Sequence, residues 1–161
     1  MTEPEKRFLA ERLRYMILAA QRQGARMLDE RLKPHGLTGS HYEVIRVLAQ
    51  REPLSLKELG ALLICEAGSP SRLITHMASL GLVERRPSRA DGRAVELVLT
   101  PKARELAVQL EELEAAFCDQ LASLLSDEEL EQIAKLLGKL LSPMPIAGPL
   151  RRRGLLPDSP P

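Results

Sequence analysis

Ser69-Pro70-Ser71-Arg72-Leu73-Ile74-Thr75-His76-Met77-Ala78-Ser79-Leu80-Gly81-Leu82-Val83-Glu84-Arg85-Arg86 is the stretch on which the reading of this chain turns. Its first half has a helical period, with Leu73, Ile74, Met77 and Leu80 taking the buried side. That leaves Ser69, Ser71, Arg72, Thr75, His76 and Ser79 on the outer face. Ser69 stands as the N-cap, and Pro70 opens the helix where a missing N–H loses no hydrogen bond. Gly81 ends it. Beyond Gly81 the period changes to two. Leu82–Arg86 and Arg93–Leu99 read as strands, the second with Val95, Leu97 and Leu99 alternating to one face. Between them Pro87-Ser88-Arg89-Ala90-Asp91-Gly92 is a turn whose Asp-Gly pair favours a hairpin.

Upstream, three further helices are predicted. The first covers residues 5–33, with Leu9, Leu13, Met16, Ala20 and Met27 on one stripe, and stops before Pro34 at a His35-Gly36 turn. Thr38 caps a second helix that carries Tyr42, Ile45 and Leu48 inward. Ser55 and Glu58 stand in capping-box spacing ahead of a short third helix, whose buried face is Leu56, Leu59, Leu62 and Leu63. Downstream, Thr100-Pro101 starts a long helix with Ala103, Leu106, Leu110, Leu113, Phe117, Leu121 and Leu124 along one seam. A seam of that kind requires a partner helix. Ser126 and Glu129 announce a last helix with Leu130, Ile133, Leu137 and Leu140 inward. Residues 142–161 hold six of the chain's twelve prolines around Arg151-Arg152-Arg153, and this Pro/Arg-rich tail reads as extended or disordered.

The fold class is therefore mainly α with a small β-hairpin wing: a winged helix-turn-helix over residues 37–102, flanked by helices at 5–33 and 103–141 that read as a dimerisation region. Charge is segregated along it. Residues 51–104 hold nine Lys/Arg against six Asp/Glu, whereas residues 105–141 hold two against nine. A phosphate backbone attracts the first segment and repels the second, so the asymmetry fits either an oriented nucleic-acid binder, with double-stranded DNA as its partner, or charges that simply solvate helices. Small hydroxyls on the outer face of the fourth helix let it sit deep in a major groove, where Arg72 has the geometry for a bidentate contact with guanine. The helix N-terminus at Ser69 adds backbone donors for a phosphate. Arg85, Arg86, Arg89 and Arg93 on the hairpin suit backbone clamping or a narrow minor groove.

Between about Leu37 and Leu110 the sequence resembles the multiple-antibiotic-resistance regulator (MarR) family of winged-helix repressors. The likeness is densest over Leu56-Lys57-Glu58-Leu59, Ser69-Pro70-Ser71-Arg72-Leu73, Gly81-Leu82-Val83-Glu84-Arg85, Asp91-Gly92-Arg93 and Leu99-Thr100-Pro101. It implies that the helix opening at Ser69 reads the major groove through Ser69, Ser71, Arg72 and His76, and that Asp91 orients Arg93 for the minor groove. It also implies a homodimer intertwined through its first and last helices and a ligand-responsive repressor bound to a pseudo-palindromic operator. His41 and Tyr42, with Arg14 and Tyr15, then either line a pocket for a small-molecule effector or serve packing. Two features depart from the family pattern: the partly acidic Ile64-Cys65-Glu66-Ala67-Gly68 ahead of the recognition helix, and the long Pro-rich tail. The alternative from another class is a winged-helix protein-interaction module without sequence-specific DNA binding, whose recognition face would be acidic or apolar.

Other functions find little footing. No phosphate-cradling Gly loop, nucleophile motif or acid–base pair is visible, so neither enzyme chemistry nor a cofactor is expected. The three His and two Cys lack metal-ligand spacing. A disulfide framework is not expected from Cys65 and Cys118. Relatives in the resembling family sense oxidants through thiols, but Cys118 reads as a small buried apolar residue, and Glu66 beside Cys65 would raise that thiol's pKa. The longest uncharged helical stretch falls far short of a membrane span. Met1-Thr2-Glu3-Pro4-Glu5-Lys6-Arg7-Phe8 lacks the form of a secretion signal, so a cytoplasmic location is expected.

Overall fold

The computed structural model describes residues 1–65, 69–88 and 92–157. They divide into two compact units, Met1–Gly39 and Ser40–Pro161. The first is dominated by α1 (Glu3–Leu32), which begins two residues before the predicted start at residue 5 because Thr2 and Glu5 form a reciprocal capping box. Leu9, Leu13 and Met16 on that stripe are all about half exposed. A 3-10 turn at Lys33–His35 follows, and Gly36, at φ +67°, makes the left-handed step expected of it.

The second unit holds the core. Helix α2 (Gly39–Arg51) buries Val44, Ile45, Val47 and Leu48, so it is covered on more than the one stripe that Tyr42, Ile45 and Leu48 define. Helix α3 (Leu56–Gly60) starts at the Ser55–Glu58 capping box, with Glu58 N–H donating to Ser55 Oγ at 3.2 Å. Leu59, Leu62 and Leu63 are buried, whereas Leu56 is not. Helix α4 (Pro70–Ser79) turns Ile74 and Met77 into the core. Gly81, at φ +68°, closes it, with Leu82 N–H donating to the Met77 carbonyl at 3.0 Å. Two expectations for α4 are corrected. Ser69 occupies the cap position but makes no side-chain cap bond, and Leu80 is 37% exposed because it follows the last helical turn.

Strand β1 (Val83–Pro87) pairs antiparallel with β2 (Val95–Leu99), with Val83 opposite Leu99 and Pro87 opposite Val95. Leu54, between α2 and α3, adds a bridge to Leu97. The simple alternation predicted for β2 fails at both ends. Leu97, Val98 and Leu99 are all buried at the base of the wing, while Val95, near its tip, is 52% exposed. Helix α4 borders β1, and α3 and α5 border β2, so the base of the hairpin is enclosed, whereas its outermost strand pair, Pro87 and Val95, is exposed.

Helix α5 (Pro101–Ala122) is capped by Thr100, which accepts from Ala103 N–H at 3.1 Å and donates to the Gly81 carbonyl at 2.7 Å. Along its seam Ala103 and Leu110 are fully buried, and Leu121 and Leu124 are exposed. Helix α6 (Asp127–Leu141) starts at the Ser126–Glu129 capping box. Its period turns Ile133, Leu137 and Leu140 inward, yet within a single chain they are about 40% exposed. Cys118, expected to be buried, is exposed on α5.

The tail is the largest correction. Far from being extended, it forms helix α7 (Ala147–Arg152), with Ala147 fully buried. Pro149 is the third helical residue, where the backbone N–H has no intrahelical partner to lose. Gly154, at φ +73°, then ends the helix, with Leu155 N–H donating to the Leu150 carbonyl and Gly154 N–H to that of Arg151, both at 2.9 Å. The prolines thus sit before the helix, in its first turn and beyond its end.

Candidate nucleic-acid interface

Burial of Ile74 and Met77 fixes the rotation of α4 and turns Ser71, Arg72, Thr75 and His76 to the exposed side, with Ser69 exposed at its start. Thr75 Oγ1 donates to the Ser71 carbonyl at 2.9 Å and accepts from Arg85 Nη2 at 2.9 Å. The recognition helix and the first wing strand are therefore joined through side chains that both belong to the predicted site. Ser79 Oγ donates to the His76 carbonyl at 2.7 Å, and Lys102 Nζ reaches the Leu80 carbonyl at 3.4 Å, so the last turn of the helix is tied off.

On the wing, Arg86 pairs with Glu84 of the same strand at 2.5 Å, between side chains that are both substantially exposed. An exposed pair of this kind is worth little and is readily exchanged for another anion. Arg93 is exposed near the tip. Arg89 and Asp91 lie outside the described residues, and with them the expected orientation of Arg93 by Asp91. Ser88 is buried and donates to Glu96 Oε1 at 2.5 Å, bracing the outer end of the hairpin.

The four effector candidates fall into different settings. Arg14 lies over the Tyr15 ring, 4.2 Å from its centroid, on α1 in the first unit. Tyr42 Oη donates to Glu114 Oε2 at 2.6 Å, and Arg46 Nε pairs with the same oxygen at 2.6 Å. Burial, together with the carboxylate of Glu114, pushes the Tyr42 phenol well above its ordinary value. His41 is buried, and its ring centroid stands 5.2 Å from that of His76. Burial, and then the neighbouring His76, lower its pKa. The outer face of α4 is thus in direct contact with α2. A hollow of about 680 Å³, lined by Leu136, Gly138, Leu155, Leu156 and Pro157 among others, includes none of the four.

Two carboxylates escaped the sequence reading. Glu43 is 5% exposed and accepts from the backbone N–H groups of Ile64 at 2.8 Å and Cys65 at 2.7 Å. Glu52 accepts from Leu99 N–H at 2.6 Å and pairs with Arg104, joining the end of α2 to β2 and α5. The available signal for Glu43 is its place one helical turn before Val47, on a face that a solvated glutamate would not share. Burial and then the charge of Glu43 raise the Cys65 thiol. The direction is the expected one, but the causes are burial first and then Glu43, while Glu66 lies outside the described residues. Among the described residues there is no cluster of three metal-ligating side chains, and no helix is long and apolar enough to cross a membrane.

The fold recurs in known proteins. A family profile described as a winged helix DNA-binding domain matches residues 37–103. The chain is 29% identical over 134 residues to the HTH-type transcriptional regulator MgrA of Staphylococcus aureus, covering 83% of this chain and 90% of that protein. The crystal structure of the reduced form of MarR from E. coli is similar at a TM-score of 0.64 and 26% identity, over 80% of this chain and 96% of that one. A DNA complex of MepR from S. aureus has the same fold at a TM-score of 0.74 and 21% identity, over 81% of this chain and 96% of that one.

Proposed function

We propose that this chain is a winged-helix DNA-binding transcriptional regulator of the MarR family, acting as a homodimeric repressor of a pseudo-palindromic operator and released by a small ligand. The observation that carries the DNA-reading part is the Thr75–Arg85 bond, which joins the face bearing Ser71, Arg72 and His76 to the strand leading to Arg86 and Arg93. A helix locked to its wing presents base-reading and backbone-clamping groups as one rigid set. The likeness to MepR, whose structure was solved with DNA, supports the same use here. Ser69 and the helix N-terminus serve a phosphate, Arg72 a guanine edge, and Arg85, Arg86, Arg89 and Arg93 the backbone or minor groove, with Asp91 holding Arg93. The half-exposed apolar residues of α1 and α6 support the dimer, because a second copy would remove them from water. For the ligand, the support is the packing of His41 on His76: a molecule displacing His41 would move a residue of the reading face. The neutral-to-basic character of that face speaks against a protein-interaction module.

The deciding experiment is a salt titration of binding to duplex DNA. If each subunit neutralises about three phosphates, the slope of log K against log salt is about −5, at roughly −0.9 per phosphate. Binding that ignores salt, or that fails to prefer any duplex selected from genomic fragments, removes the proposal.

A further inference from the structure

The arginine triplet of the C-terminal segment is consumed inside the chain. Arg151 folds the segment onto itself: Nη2 donates to Ser142 Oγ at 2.8 Å and to the Ser142 carbonyl at 3.2 Å, and Nε donates to the Pro157 carbonyl at 3.2 Å. Arg152 Nη1 donates to the Ala61 carbonyl, just past the end of α3, at 3.2 Å. Gly148 makes room for this, since a Cβ there would stand 3.0 Å from Arg152 Nη1. Arg153 Nη1 donates to Glu43 Oε1 at 2.8 Å. The same buried carboxylate holds the N–H groups of Ile64 and Cys65, in the turn that leads toward Ser69 and α4. A carboxylate so withdrawn from water requires a partner charge, and stripping that partner away leaves the site strongly destabilised. Glu43 is thus the point at which α2, the helix-turn-helix turn and the C-terminal segment meet.

We propose that Glu43 is a positioning residue for the recognition helix and that Arg153 holds it in that role, so that residues 142–157 act as an internal strut controlling how α4 presents Arg72. The inference rests on the chain being a DNA reader and adds to it a segment that contributes to reading without touching DNA. It also assigns the arginine triplet to contacts within the chain and not to phosphate.

The test uses the full chain, the tightest duplex that the wild type recovers from a randomised library, and a scrambled duplex of equal length. Arg153→Ala is expected to weaken the selected duplex about tenfold, with little change on the scrambled one and with the wild-type salt slope retained. Arg153→Lys recovers most of the loss. In the free protein, the Ile64 and Cys65 amides exchange faster in Arg153→Ala than in the wild type. Glu43→Gln keeps an acceptor oxygen without the charge, so adding Arg153→Ala to it produces no further loss; this covers the case in which Arg153→Ala alone is unstable. An equal loss on both duplexes, with the slope shallower by about 0.9, identifies Arg153 as a phosphate contact and overturns the strut. Unchanged affinity and exchange in Arg153→Ala, beside normal wild-type binding, overturn it while leaving the DNA reading intact. Should the wild type select no duplex, the DNA reading falls, and unchanged amide exchange would by itself overturn the strut.

Discussion

Arg85 of β1 donates to Thr75 of α4 at 2.9 Å, which makes the orientation of the wing a property of the recognition helix. The bond is exposed, so its loss in Thr75→Val should cost the fold no more than about 1 kcal/mol. Its effect on DNA binding should be larger and coupled. In a double-mutant cycle of Thr75→Val with Arg85→Ala on the operator, the two losses should fall short of additivity by at least about 0.5 kcal/mol. Strict additivity would mean that helix and wing bind independently.

Arg72 and Arg93 should separate base reading from clamping. Arg72→Ala is expected to cost about 1 to 3 kcal/mol on the preferred operator and to relax the preference at one position per half-site. Arg93→Ala should weaken operator and scrambled duplex more evenly, with a shallower salt slope if the contact is to phosphate. If the operator-to-scrambled ratio survives Arg72→Ala and collapses in Arg93→Ala, the roles are reversed.

The exposed apolar residues of α1 and α6 set the assembly expectation. Leu13 is 50% exposed and Leu137 37% exposed in the single chain. Sedimentation should find the wild type as a dimer at micromolar concentration. Leu13→Asp and Leu137→Asp should each shift it toward monomer, since burying an unpaired carboxylate opposes association. A wild-type monomer with full helicity contradicts the dimer.

His41 should make stability depend on pH. Burial and the adjacent His76 hold its folded pKa below the ordinary value of 6.5. The unfolded chain therefore binds this proton more readily than the folded one, so stability rises with pH across this range. It should be complete above about pH 7, decline as the pH falls through about 6.5, and level off below the folded value. His41→Gln should flatten that part of the profile in denaturant titrations at stepped pH. An unchanged slope would place the dependence elsewhere.

Helix starts were legible in the sequence because they are decided within four residues. Ser55 with Glu58, Ser126 with Glu129, and Thr100 ahead of Pro101 all cap as their spacing requires. Gly36 and Gly81 close their segments with positive φ for an equally local reason. The outer face of α4 was legible too, since the period of Ile74 and Met77 leaves Ser71, Arg72, Thr75 and His76 one side to occupy. Local reasoning missed at Ser69, which makes no cap bond, and at the Thr2–Glu5 box, but its larger failure was over partners. The Pro-rich tail was read from composition, but Pro149 sits where a helix tolerates it, and Arg151 supplies bonds that hold the segment in place.

The sequence by itself therefore determined the order of the elements as far as α6, the helix-turn-helix with its wing, and which side chains face outward on the recognition helix, all of them consequences of period and capping over a few residues. Only the tertiary structure decided which charges meet. Glu43 and Arg153 are 110 residues apart, and nothing in either neighbourhood names the other. A charged side chain carries its sign in its own identity, but whether it faces water, phosphate or a buried counter-charge depends on which distant segment the folded chain brings beside it.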